Sequence, residues 1–385
     1  MKRFLSLILV GFLAFFGFVA CTEETTAAET TAAETTTEAE LTYEIALVTD
    51  VGNIDDKSFN EGAWNGVVQY ADENSVTYAY YRPTEDSETA RISAIESAIN
   101  KGAKIVVCPG YLFETAIYSV QDTYPNVSFL LLDGTPNDGD WGAATGPTWS
   151  TSSNVHNVLY QEEQSGFLAG YAAVKEGYTA LGFAGGMAVP AVVRFGYGFI
   201  LGAEYAANEM NLTAGDVTIE YYYANAFAPS PELEIKMDLW YAGGMEVIFA
   251  CGGKLYQSVV NAAEATQNGK VIGVDVDQYF VSDTIISSAM KGLQVSVYDS
   301  LTAFYDNSMV WPAALAGETS VLGAITGGVG LPTATTSWGF TTFTIAEYDA
   351  IFAKLVDGTV VVSTIIDAQP TVSLVTVTYS EKPAE

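Results

Sequence analysis

The stretch Ile45-Ala-Leu-Val-Thr-Asp50-Val-Gly-Asn-Ile-Asp55-Asp56-Lys-Ser58-Phe59-Asn60-Glu-Gly-Ala-Trp64-Asn-Gly66 decides how the rest of the chain is read. Its apolar opening ends at one carboxylate, Asp50, as a buried parallel strand does when its tip faces a site. Gly52 and Asn53 break the strand, and Ser58 stands where it would cap a helix beginning at Phe59. A strand, a polar loop and a helix start form the ligand-facing corner of an open α/β sheet. Phe59 sits at that corner with Asp50 and Asn60 around it. Two roles fit it: a hydrophobic staple for its own helix, or a stacking face ringed by hydrogen-bonding groups.

Outward from this stretch, strands and helices alternate, which predicts parallel sheets. In the first half, strands are expected at 45–49, 76–81, 104–108 and 127–132. Helices are expected at 59–74 and 89–101, with a third ending near 124. The order repeats with strands at 180–183, 217–223, 246–250 and 271–274, and helices at 190–210 and up to 241. Val106-Val-Cys108-Pro-Gly110 matches Phe249-Ala-Cys251-Gly-Gly253, and Leu131-Leu-Asp133 matches Gly273-Val-Asp275. Two doubly wound units make two lobes whose facing strand tips enclose a cleft. Residues 283–291 read as a strand, followed by a helix over 295–315 that returns to the first lobe. Residues 330–343 then cross to the second lobe, ahead of a helix at 345–355 and a last strand. The predicted division is 43–150 plus 280–329 for lobe 1 and 151–279 plus 330–380 for lobe 2. Several crossings between them make a multi-strand hinge suited to closing on a ligand.

The chain has 385 residues, enough for two such cores, with 15 Lys and Arg against 46 Asp and Glu and a formal net charge of −31. That field repels phosphate backbones and argues against nucleic-acid partners; an anionic ligand would need a local basic group. Lys2-Arg3, the apolar run from Phe4 to Ala20 and Phe18-Val-Ala-Cys21 read as a signal peptide over 1–20 that ends in a lipobox-like sequence with Cys21 as lipid anchor. An uncleaved anchor is the alternative, although the run is short for a span. Thr, Ala and Glu fill the segment after Cys21, so 21–42 is expected to be a disordered tether. Cys108 and Cys251 end strands of different units and are expected to be free buried thiols. No pattern of His and Cys ligands suggests a metal, and His156, the only histidine, has no evident nucleophile beside it.

Thr49-Asp-Val-Gly-Asn-Ile-Asp-Asp-Lys-Ser-Phe-Asn60 resembles the opening signature of the basic membrane protein family, the purine-nucleoside-receptor-type lipoproteins that feed ABC importers. Gln164-Ser-Gly-Phe-Leu-Ala-Gly170, Gly182-Phe-Ala-Gly-Gly-Met187, Phe195-Gly-Tyr-Gly-Phe-Ile-Leu-Gly202, Ile272-Gly-Val-Asp275-Val-Asp-Gln278 and Ser288-Ala-Met-Lys291 before Val297-Tyr298 extend it in order along the chain. The resemblance implies a type I periplasmic-binding-protein fold, no enzymatic activity, no cofactor, and ABC permease and ATPase subunits as partners of an extracytoplasmic, lipid-anchored monomer. It implies two Phe rings that sandwich a base. The first falls on Phe59 with Asn60 beside it and the second on Phe227, with Phe195 in an apolar helix as the alternative. It places a base-edge acid at Asp133, ribose ligands at Asp275 and Lys291, and Asp50 and Gly253 on the cleft wall. One departure stands out. After Gly253 the chain reads Lys254-Leu-Tyr256-Gln, where the family has a small Gly/Thr-rich turn, so Lys254 and Tyr256 would narrow or re-aim the sugar end.

The same residues suit a nucleoside on chemical grounds. A base needs apolar faces, and carboxylates accept from ribose hydroxyls in charge-assisted bonds. Asp275 and Lys291, expected on different lobes, would meet only on closure. Riboflavin or another heterocycle is an alternative ligand, and a sensor in place of a transporter an alternative role. A nucleoside hydrolase is a third, disfavoured because Val48 stands where a calcium-binding Asp is needed. Ordinary turn chemistry also explains an Asp after a strand. Gly196-Tyr-Gly198-Phe-Ile-Leu-Gly202 imitates a dinucleotide fingerprint with the wrong spacing, inside a helix, and Asp138-Gly-Asp140 reads as a surface turn.

Overall fold

In the computed structural model, which describes residues 42–380, the opening stretch folds as a strand, a loop and a helix: β1 (Ile45–Val48) and α1 (Phe59–Asn74). There follow β2 (Tyr78–Tyr81), α2 (Glu88–Asn100), β3 (Ile105–Pro109), α3 (Glu114–Val120), β4 (Ser128–Leu132), β5 (Val155–Tyr160) and α4 (Glu162–Glu176). The second series runs β6 (Ala180–Gly185), α5 (Pro190–Glu209), β7 (Val217–Tyr223), α6 (Pro231–Ala242), β8 (Val247–Cys251), α7 (Tyr256–Glu264), β9 (Lys270–Asp275) and β10 (Ile285–Lys291). The chain closes with α8 (Leu293–Asp306), β11 (Thr319–Leu322), β12 (Val329–Gly330), α9 (Ile345–Val356) and β13 (Val375–Tyr379). Among the described residues no helix is long and apolar enough to cross a membrane. The signal peptide, Cys21 and nearly all of the tether lie outside the described residues.

The strands form two sheets ordered β11-β5-β4-β3-β1-β2 and β12-β10-β9-β8-β6-β7-β13, parallel throughout except for β12 against β10. Read from β2 and from β7, each sheet repeats the doubly wound order 2-1-3-4-5 of flavodoxin-like folds. The internal repeat therefore has five strands per unit. β5, α4 and α7 were not anticipated. In β5, His156 and Asn157 interrupt the apolar pattern, yet both are buried. Most of their partners come from far along the chain: His156 Nδ1 lies 3.2 and 3.0 Å from the carbonyls of Leu315 and Glu318, and Asn157 Nδ2 donates to the hydroxyls of nearby Thr151 and distant Thr319, while Asn157 Oδ1 has no partner.

This changes where the chain crosses between lobes. Residues 155–160, expected in lobe 2, pair with β4 in the first sheet. Residues 285–291, expected in lobe 1, pair with β9 in the second, Met290 opposite Asp275. Each unit completes its fifth strand before leaving: after β5 through α4, which packs on α5, and after β10 through α8, which packs on α1. β11, a further strand that was not anticipated, pairs with β5 in the first sheet, and β13 pairs with β7 in the second. Cys108 and Cys251 are free, buried thiols at the ends of β3 and β8.

Candidate functional site

A cavity of about 570 Å³ lies between the two lobes, lined by the strand tips of both. Matching positions of the repeat face each other across it. The tips of β4 and β9 carry Asp133 and Asp275, whose backbones are left-handed at φ 60° and 69°. Aspartate tolerates that region better than most residues, and strain of this kind gathers at binding sites. The tips of β3 and β8 carry Gly110 and Gly252 at φ 123° and 141°, which suits glycine.

The loop after β1 is held by carboxylates. Asp56, and not Ser58, caps α1: its oxygens accept from the backbone N–H groups of Ser58, Asn60 and Glu61. Ser58 makes no capping bond, and its hydroxyl instead donates to Asp275 Oδ2 at 2.5 Å across the cleft. Asn60 Nδ2 donates to both Asp50 Oδ1 and Asp56 Oδ2, each at 2.9 Å, and Gly52 N donates to Asp50 Oδ1 at 2.6 Å. Burial pushes the Asp50 carboxyl up to about 6 despite these bonds.

Phe59 and Phe227 are half-buried on opposite walls of the cavity. Phe227 lies against backbone. A Cβ added at Gly186 or Gly252 would meet its ring at 2.4 or 2.9 Å, and one at Gly253 would meet its carbonyl oxygen at 2.9 Å. Gly253 thus belongs to the bed of the aromatic side chain. Phe195, the alternative second ring, is fully buried and packs edge-on to Phe249 with ring centroids 5.9 Å apart.

Lys291 occupies the floor. Its ammonium is bound to Asp133 Oδ2, lies 3.3 Å from Glu162 Oε1 and 3.9 Å from Asp275 Oδ1, and stands 4.7 Å from the centre of the Phe59 ring. Asp275 and Lys291 end adjacent strands of one sheet, so they are neighbours whether or not the lobes close, and the nearest carboxylate to Lys291 is Asp133. Burial alone would discharge Lys291, but its three carboxylates override that and hold its pKa above the ordinary value. Burial lifts Asp133 to about 7, against the pull of Lys291. Burial would lift Glu162 also, but Lys291 and Arg194 together hold it below its usual range. Arg194 donates to Glu162 Oε2 at 2.5 Å. Glu162 and Arg194 escaped the sequence reading. The signal was the polar Gln161-Glu162 after β5, at the place in the repeat where Gly292-Leu293 follows β10. Asp133 Oδ1 is buried without a hydrogen-bond partner on the cavity wall, so it is free to accept from a ligand.

The remaining expected residues fall as follows. Lys254 lines the cavity, and its Nζ binds Asp55 Oδ1 of the opposite lobe at 2.8 Å. Tyr256 does not narrow the sugar end, because its ring is buried in the lobe 2 core under α7. His156 is turned into lobe 1, where burial lowers its pKa.

A family model described as "ABC transporter substrate-binding protein PnrA-like" matches residues 44–344. The nucleoside-binding protein BmpA of an ABC transporter of Lactococcus lactis is 26% identical over 246 residues, which are 61% of this chain and 64% of that protein. Basic membrane protein B of Borreliella burgdorferi is 27% identical over 288 residues, 74% of this chain and 79% of that one. Among solved structures, an ABC transporter solute-binding protein of Aeropyrum pernix superposes with a TM-score of 0.68 at 21% identity, covering 84% of this chain and 95% of its own. One from Conexibacter woesei does so with 0.61 at 19%, covering 84% and 99%. At these identities the structural likeness shows the type I solute-binding fold.

Proposed function

This chain belongs to the PnrA-like family of ABC transporter substrate-binding proteins, and from that premise we propose that its ligand is a nucleoside, a purine nucleoside first of all, held by closure of the two lobes. The observation that carries this is the pair of half-buried rings, Phe59 and Phe227, one on each wall of a cavity whose floor offers a free carboxylate oxygen on Asp133. A flat heterocycle between the rings gains stacking from both lobes at once, so binding draws them together. Asp50, Asn60 and Asp133 meet the edge of the base, Asp275 and Lys291 the ribose hydroxyls, and Gly253 keeps Phe227 in place. The similarity to a protein named for nucleoside binding supports the same ligand class.

The work of the site in this reading is capture. Every acidic group of the floor is tied to Lys291, Arg194 or Ser58, which suits holding a polar ligand in place better than activating water. Delivery is to an ABC permease with its ATPase. The protein is extracytoplasmic and held at the membrane by a lipid on Cys21, in keeping with the signal-like start of the chain. Cys21→Ser is then expected to move the protein out of the membrane fraction; persistence there under high salt would refute the anchor.

The test of the ligand is direct. Protein purified without added ligand is denatured and the released small molecules identified by mass, and the ligand-free protein is titrated with inosine by calorimetry. A released nucleoside and saturable binding of inosine are expected. Release of a flavin, or no heat with any nucleoside, would overturn the proposal.

A further inference from the structure

Charged groups lining the cavity are accounted for with one exception. Asp133 and Asp275 share Lys291, Asp86 binds Arg91 at 2.7 Å, and Lys254 binds Asp55. Asp50 and Asp56 are satisfied by amide groups of the loop and by Asn60. Arg82, on the turn after β2, also lines the cavity. Among the described residues it has no carboxylate partner. Its one hydrogen bond runs from Nη2 to the Val51 carbonyl at 3.5 Å, the outer limit for such a bond. A guanidinium carries several N–H donors in a rigid plane and accepts nothing. In a chain this acidic, a cation left without an acid at the cavity wall has its donors free for a ligand.

Two kinds of ligand group answer a free guanidinium: an oxyanion, or a pair of neutral acceptors side by side. The net charge of −31 decides between them. An anionic ligand would approach against the field of the whole molecule, whereas a neutral nucleoside does not. On a 6-oxopurine, O6 and N7 are adjacent acceptors that match the fork of an arginine. A 6-aminopurine puts a donor where O6 would be, so two donors face each other. A pyrimidine lacks the pair.

We propose that Arg82 is the residue that selects the base, pairing with O6 and N7 so that the site prefers 6-oxopurine nucleosides over adenosine. This rests on the nucleoside reading above and gives Arg82 a role that Phe59 and Phe227 cannot have, because a stacking ring accepts any flat base. Asp133 contributes from the floor, where its free oxygen accepts the N1–H that a 6-oxopurine has and adenine lacks.

The test is calorimetry with inosine, adenosine and inosine 5′-monophosphate on the whole protein and on Arg82→Gln and Arg82→Met. Arg82 is exposed, so both variants are expected to unfold at the wild-type temperature. The wild type should bind inosine roughly tenfold or more tighter than adenosine, the discrimination a bidentate pair gives. Arg82→Gln should reverse the preference, since a carboxamide pairs with the 6-amino group and N7 of adenine. Arg82→Met should lose the advantage for inosine without gaining adenosine. Equal affinity of the wild type for the two nucleosides, or equal loss of both in Arg82→Gln, overturns the assignment and leaves the nucleoside reading standing. A monophosphate that binds tighter than inosine, and only through Arg82, overturns it in favour of an oxyanion subsite. If neither nucleoside binds the wild type, the nucleoside reading fails and this inference with it.

Discussion

Lys291 shows how a single side chain can hold a site together. Three carboxylates lie around its ammonium, and only Glu162 has a second cation, Arg194. Lys291→Met leaves Asp133 and Asp275 buried beside each other without their cation, and stranding a buried charge costs roughly 3–5 kcal/mol. The loss should depend on pH. Without Lys291 the folded-state pKa of both acids rises further above the unfolded value, so the native state holds more protons than the unfolded chain. Stability then falls as pH rises through the window between the two values. Melting of Lys291→Met is expected to drop further below wild type at pH 8 than at pH 5; an equal drop at both would show that these acids are not stranded. The rings are simpler. Phe227→Ala should weaken nucleoside binding by roughly 1–3 kcal/mol, the usual worth of one base stack, with little change in melting because the ring is half exposed. Phe59→Ala should weaken it comparably and also lower stability, since that ring faces the Lys291 ammonium. Unchanged calorimetric affinity in both variants would sink the sandwich.

Helices α4 and α5 set the floor, because they carry Glu162 and Arg194. They pack with backbones nearly touching: a Cβ at Gly170 would lie 2.0 Å from the Phe199 carbonyl oxygen, and one at Gly202 would lie 1.9 Å from that of Phe167. Gly198 and Gly202, which imitate part of a nucleotide fingerprint, are therefore contact points between helices. Gly170→Ala should push the pair apart, with a loss of roughly 1–3 kcal/mol or more, as for an overpacked core. It should also weaken ligand binding by shifting Glu162 against Lys291, whereas Lys175→Ala on the same helix should change melting little. A Gly170→Ala protein that melts with wild type would show that the contact yields easily. The glycine spacing was visible in the chain, but it carries no sign of its partner helix, and β5 was hidden because the partners of its buried polar residues, Leu315, Glu318 and Thr319, lie far along the chain.

At the scale of the whole molecule, the bonds that join the lobes among the described residues include Ser58 to Asp275, Gln278 Nε2 to the Lys57 carbonyl at 2.7 Å, and Lys254 to Asp55. They are not equal. Asp55 is 69% exposed, so its ion pair is screened and contributes little. Ser58 donates to a buried carboxylate, a bond of roughly 1.5–3 kcal/mol. Ser58→Ala should therefore populate the open form and weaken ligand binding several-fold, while Lys254→Ala should do so only slightly and only at low salt. Small-angle scattering and calorimetry would check the order, and a larger effect of Lys254→Ala would reverse it.

By itself the sequence determined the type of the fold and its doubling. Apolar runs that end at a glycine or aspartate define strand tips locally, and the similarity of 106–110 to 249–253 repeats them. It also placed Phe59 at a helix start and Asp133 and Asp275 at strand tips, which are local properties, whereas the ligand roles of Asp133, Asp275 and Lys291 came from the family resemblance. Only the tertiary structure decided which lobe owns β5 and β10, that Asp56 and not Ser58 caps α1, and that Lys291 answers Asp133 before Asp275. Those are questions of partnership, of β5 with β4, of β10 with β9 and of Lys291 with Asp133, 158 residues away, and periodicity within a segment carries no information about them. The exception is the cap, where both candidates were local and the choice turned on Asp275, a distant acceptor that draws the Ser58 hydroxyl away.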